Sequence, residues 1–204
     1  MQRKVFDILA SAGGAVLVAV LLVAGGLLMW GYSFANSNVH TQLAEQQIVF
    51  PPLAAFASAK PGTEITPSMI PYIEKYAGQQ LTTGAQAEAY ADHFIAIHLQ
   101  EIGGGKTYAQ LSTIARSLPP GSAAAAKAEA TVTTVFQGTT LRGLLLEAYG
   151  YWTFGQIALW GAIASFILAG VMAMLVGLGL WHSRRVATDA PILAGRTTET
   201  KAAD

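Results

Sequence analysis

The sequence predicts an all-α membrane protein in which two transmembrane helices flank a small, mostly helical extracytoplasmic domain. Three observations predict it. Two apolar runs, residues 8–34 and 149–181, contain no charged residue, and each exceeds the roughly 20 residues that cross a bilayer core of about 30 Å. Hydrocarbon admits only backbone that satisfies its own hydrogen bonds, which for a single segment means a helix. Between the runs, apolar residues recur at helical spacing behind capping signals, and no alternating pair of segments reads as strands.

The elements come in order along the chain. Residues 1–7 form a short basic amino terminus, and residues 8–34 form the first span. Ser33-Phe34-Ala35 offers a small-x-small cleavage site, but signal cores run to about 7–15 residues, so the run is read as a retained span. Residues 35–150 make the domain. Its first stretch continues the helix through Gln47, with Val39, Leu43 and Ile48 on one face, until Phe50-Pro51-Pro52 removes donors and restricts the backbone. Residues 53–65 read as irregular. Thr66-Pro67 places a cap and a first-turn proline before a short helix carrying Ile70, Ile73 and Tyr76, which Gly78 stops.

Thr83-Gly84-Ala85-Gln86 is a capping box, and Tyr90, Phe94, Ile97, His98 and Ile102 then recur at helical spacing. Gly103-Gly104-Gly105 ends that helix by supplying left-handed backbone. A second box, Thr107-Tyr108-Ala109-Gln110, opens a helix that stops before Pro119-Pro120-Gly121. From Ser122 the pattern is helical into the second span, residues 151–181, with Gly138, Gly143 and Gly150 permitting bends. Residues 182–204 read as a disordered cytoplasmic tail.

Charge near the spans sets the orientation. Arg3 and Lys4 precede the first and Arg184 and Arg185 follow the second, so both termini are expected in the cytoplasm of a cell whose plasma membrane holds the protein. The central loop has six basic and eight acidic residues, and loops of that length cross largely regardless of charge. Twelve basic residues balance twelve acidic ones, leaving no field to recruit nucleic acid. Cysteine is absent, which excludes disulfides, thiolate metal sites and cysteine nucleophiles. Neither span holds an ionisable residue, so neither supplies a proton relay or an ion path.

Several motifs invite chemistry. Gly103-Gly104-Gly105-Lys106-Thr107 resembles a phosphate loop, but Gln100 stands where the signature needs its first glycine, and a helix precedes it instead of a strand. A junction between two helices explains every residue. His98 and Glu101 share a helix face and are the candidate metal ligands, whereas His93 points roughly 140° away from His98. Two ligands fall short of the three or four that zinc takes, so no metal, cofactor or catalytic residue is assigned. Glu88 and Asp92 read as a solvated stripe. Arg142 and Glu147, five apart just before the second span, each need a partner elsewhere and form a candidate interaction site.

The second span carries Gly161, Ser165, Ala169, Ala173 and Gly177 at intervals of four. Such a stripe lets helix backbones approach closely in lipid. It is the expected helix contact, with Ser11, Ala15 and Ala19 as its complement in the first span, or with a membrane-protein partner or a second copy.

The segments Tyr90–Ser112, YADHFIAIHLQEIGGGKTYAQLS, and Thr139–Trp152, TTLRGLLLEAYGYW, resemble a group of actinobacterial two-span membrane proteins. The GGGKTYAQ turn and the TLRGLLLEAYG run carry the resemblance. It implies a small extracytoplasmic helical domain and a place in the cell envelope, and it assigns no reaction. The expected role is structural or interactive: an accessory subunit or a membrane-tethered binding module in contact with lipid. A lipid- or small-ligand-binding protein that uses a groove facing the membrane is the alternative, and an envelope hydrolase stands third.

Overall fold

The computed structural model describes residues 3–185, and within them the secondary structure is helical apart from one isolated bridge between Val49 and Gln80. Two helices dominate, α1 (Arg3–Glu45) and α7 (Ala123–Arg185), and both are long and apolar enough to cross a membrane. Their most apolar windows are only 11% and 6% buried. The core helix of a water-soluble domain would be mostly covered, so this exposure is compatible with helices that lie in a membrane. The chain divides into two compact units, one made of its ends, up to Trp30 and from Ala158, and the other, the inner unit in chain order, of Gly31–Ile157.

In the unit made of the ends, the two helices pair along a narrow seam. On α1 the covered positions include Ser11, Gly14, Val18, Leu21, Gly25 and Leu28; on α7 they include Ala162, Ser165, Ala169, Met172, Val176, Gly179 and Ser183. Steps of three and four alternate, giving the 3.5-residue period that keeps a left-handed seam facing its partner. Glycine makes the approach possible. A methyl group on Gly14 would stand 2.6 Å from Cγ2 of Val176, and one on Gly25 would stand 2.8 Å from the Phe166 ring. At the far end, the Cβ position of Gly179 lies 4.0 Å from Cβ of Ser11, inside the range of about 3.5–4.5 Å that a disulfide spans. A Ser11→Cys/Gly179→Cys variant should therefore cross-link on mild oxidation, whereas Ala15→Cys/Ala173→Cys, on exposed faces, should not; a gel-shift assay distinguishes the two.

In the other unit, α1 ends at Glu45, two residues earlier than the proline argument places it, because Gln47 adopts φ +53°. A non-glycine residue in that region stops a helix whether or not a proline comes after it. Residues 48–50 then lie antiparallel to 79–81, with Phe50 N donating to Gln79 O and Leu81 N to Ile48 O. Residues 53–65 are not wholly irregular: α2 (Leu53–Ala57) comes directly after Pro52, and Thr63 Oγ1 holds the next turn through Lys60 and Ile65. The helix expected at Thr66 starts later, as α3 (Ile70–Ile73), and tightens to a 3₁₀ turn over Glu74–Tyr76. Thr66 does not cap it; its hydroxyl meets Ser68 Oγ at 2.8 Å. Gly78, at φ +67°, closes the segment.

Both capping boxes form. The first opens α4 (Gly84–Tyr90), which passes through a π turn at Ala91–Ile95 into α5 (Ala96–Gly103). Gly104, at φ +56°, terminates it, and Gly105 N donates to Gln100 O at 2.8 Å. The second opens α6 (Tyr108–Ser117). Ser122 Oγ then accepts from Ala125 N, starting α7, which continues unbroken through Gly138, Gly143 and Gly150.

Gly138 and Gly84 serve contact more than bending. A methyl on Gly138 would press on Cδ2 of Leu99 at 2.5 Å, and one on Gly84 would overlap Cβ and Cγ of Trp152. The core gathers Val39 and Leu43 of α1, Phe50, Phe56, Ile65, Met69, Ile73, Leu81, the buried alanines of α4 and Leu145 of α7.

Two terminal boundaries shift as well. Helix begins at Arg3 within the expected 1–7 terminus, and His182–Arg185 remain helical, with the Arg185 guanidinium 4.1 Å from the Trp181 ring. The disorder expected for the rest of the tail, 186–204, lies outside the described residues.

Candidate functional site

The polar constellation of the inner unit is built on the π turn. One extra residue per turn changes the direction in which later side chains leave the axis, and such turns cluster at functional sites. Asp92 sits on that turn and meets Arg142 of α7, with Nη2 donating to Oδ1 at 2.5 Å and Nε to the same oxygen at 3.2 Å. The solvated stripe expected for Asp92 is therefore incorrect: its carboxylate has a partner fifty residues away. Arg142, as expected, does not pair with Glu147. The pair is about one-third exposed on each side, so it fixes position and contributes at most about 1 kcal/mol.

Beside it, His93 stacks flat on Tyr72, with ring centroids 3.5 Å apart. His98 lies a helical turn further on, its Nδ1 2.8 Å from Phe94 O. Nδ1 donates there, since a carbonyl can only accept. His98 also ends a run of rings, Tyr76–Phe50–Tyr90–Phe94–His98, with neighbouring centroids 4.5–5.3 Å apart. It borders a shallow pocket of about 490 Å³ that Glu64 and Gln137 share. Glu101, its expected companion, is exposed and does not border that pocket. Among the described residues no three His, Asp or Glu side chains converge as a ligand set.

Tyr90 titrates abnormally. Burial pushes its hydroxyl above the ordinary value of 10.0, and the Glu64 carboxylate pushes it further in the same direction. The folded state thus holds a proton that the unfolded chain releases near pH 10. Its contribution is constant below that pH and is lost as pH rises toward the folded value. Tyr90→Phe should flatten the alkaline fall in thermal stability and leave the neutral range nearly unchanged.

Glu147 occupies a different setting. It borders a groove of about 710 Å³ between residues 34–46, at the end of α1 and just past it, and residues 141–151 of α7. The apolar lining comes from Phe34, Val39, Leu43, Leu141, Leu144, Leu145 and Tyr151, and the polar lining from Asn38, Gln42, Glu45, Gln46 and Glu147. Leu144 and Tyr151 are exposed. Asn38 and Gln42 bond to each other, with Nε2 of Gln42 donating at 3.1 Å. Among the described residues Arg142–Asp92 is the one ion pair, so neither glutamate of the groove takes part in one. Spacing along the sequence singles out Glu147 but not this groove, because no local pattern shows how far two helices distant in sequence diverge.

The small-residue stripe is divided. Gly161 lies 3.2 Å, measured from its Cβ position, from Cδ1 of Leu28; Ser165 is half-buried, and Ala169 is 1% exposed. Ala173 and Gly177 face outward, as do Ala15 and Ala19 of α1. At about 100° per residue, a step of four advances 40° past a full turn, so a stripe at that spacing leaves any seam within three or four members. Ala162, Met172, Val176 and Gly179 complete the observed contact. The glycine–lysine–threonine run is a helix junction, with Gly104 and Gly105 at positive φ and Thr107 capping α6. Compared with protein-family models, curated proteins and solved structures, the chain has no match.

Proposed function

We propose that this chain is a non-catalytic, membrane-anchored interaction protein of the cell envelope, serving as a tethered binding module or accessory subunit. The observation that carries the reading is the groove of about 710 Å³, walled by exposed leucine and aromatic side chains. Sites for small molecules commonly occupy about 300–1,000 Å³ with mostly apolar walls and a few polar groups. Phe34 lies one helical turn beyond Trp30 on α1, so the groove opens close to the end of the apolar stretch. The flanking arginines and lysine support cytoplasmic termini and an external inner unit, and the resemblance to two-span envelope proteins supports the same placement.

The test fills the groove. The full chain would be extracted from native membranes in mild detergent and weighed intact. A retained lipid, ligand or subunit is expected on the native chain and should be lost from Leu144→Trp. Bare mass for the native chain, or retention unaffected by Leu144→Trp, would contradict the reading. Retained lipid or small ligand would favour the binding module, and a stoichiometric protein would favour the accessory subunit.

A further inference from the structure

We infer that the groove between α1 and α7 binds a single-chain amphiphile with a cationic head group, drawn from the bilayer. This rests on the groove being the functional site and adds the chemical class of its occupant. Length suits an extended chain. The groove runs from Phe34 of α1 to Gln46 just past its end, about 18 Å at 1.5 Å per residue, so an alkyl chain can lie along its leucines.

Charge decides the head group. Glu45 and Glu147 both line the groove, and no lysine, arginine or histidine does. The amides that could screen them are engaged, at least in part, with each other. Two carboxylates beside an apolar slot repel a phosphate or carboxylate head and attract an ammonium. Leu144, Leu145 and Leu43 supply the surface for the chain, and burial of each methylene favours retention.

The full chain in phosphatidylcholine nanodiscs would be exposed to dodecylamine carrying a diazirine near the chain end, and separately to the matching dodecanoate. Adducts would be mapped by peptide mass spectrometry. The amine is expected to label peptides covering residues 34–46 and 141–151 at least about tenfold more than the carboxylate. Glu45→Gln/Glu147→Gln should erase that preference, while labelling around the exposed Val23 of α1 stays constant and reports bulk partition. Equal labelling by both probes, no groove labelling, or a preference that survives the double variant would overturn the inference. So would native membranes yielding, through a photoreactive residue at Leu144, a partner helix or a second copy in place of lipid. If the charge preference fails while Leu144→Trp still releases a retained molecule, the ligand class falls and the binding-module reading stands.

Discussion

Phe50→Ala is expected to lower the stability of the inner unit by about 3–5 kcal/mol, the range for emptying a large aromatic site in a packed core. Phe50 is 1% exposed, packs edge-on to Tyr90 at 5.3 Å and lies 5.2 Å from Tyr76. It also sits where residues 48–50 pair with 79–81. The cavity would therefore open between α4, the 3₁₀ turn and the end of α1. Domains of this size are held by about 5–15 kcal/mol in total, so the loss is a large share of the whole. Thermal unfolding in detergent, monitored by circular dichroism, should show a markedly lower midpoint. Val49→Ala, at an exposed neighbour, should change it little. A Phe50→Ala midpoint equal to that of the native chain would mean that this core is not the one that holds the unit together.

Gly84→Ala should cost about 1–3 kcal/mol despite adding a better helix former, because overpacking outweighs propensity at this site. The new methyl would fall on Cβ and Cγ of Trp152, and the backbone at Gly84 is held by the Thr83–Gln86 capping box. One of the two must yield. The cost should disappear when Trp152 is shortened: Gly84→Ala in a Trp152→Ala background should be neutral or mildly stabilising. A double-mutant cycle on these positions should give a coupling of about 1–3 kcal/mol. Additive effects would show that the helix and the indole do not touch.

What the chain reveals in one dimension divides along a physical line. Local chemistry is legible. Thr83 and Thr107 each stand three residues before a glutamine, and both boxes close as the spacing requires. Gly78 and Gly104 take the left-handed backbone that ends their segments. The apolar runs identify the two long helices because length and hydropathy are properties of one segment. Features set by distant partners are not legible. The π turn at Ala91–Ile95 leaves no mark in the residue pattern, and with it goes the pairing of Asp92 with Arg142. Gln47 at φ +53° ends α1 ahead of the two prolines that the sequence offers as the stop. The stripe from Gly161 to Gly177 shows which residue types permit close approach, but the period of the seam depends on two helices coiling together. The groove, likewise, is a gap between helices a hundred residues apart.

The proposed function places the apolar helices in a bilayer and the inner unit outside the cytoplasm. Because the chain has no cysteine, single cysteines at the exposed Ser58 of the inner unit and at the exposed Val23 of α1 can be probed against a silent background. Intact cells would be treated with a membrane-impermeant maleimide before and after lysis. The expected result is labelling of Ser58→Cys in intact cells, with Val23→Cys protected until the membrane is dissolved in detergent. Labelling of Ser58→Cys only after lysis would place the inner unit in the cytoplasm. Ready labelling of Val23→Cys in intact cells would remove α1 from the bilayer and contradict the account at its root.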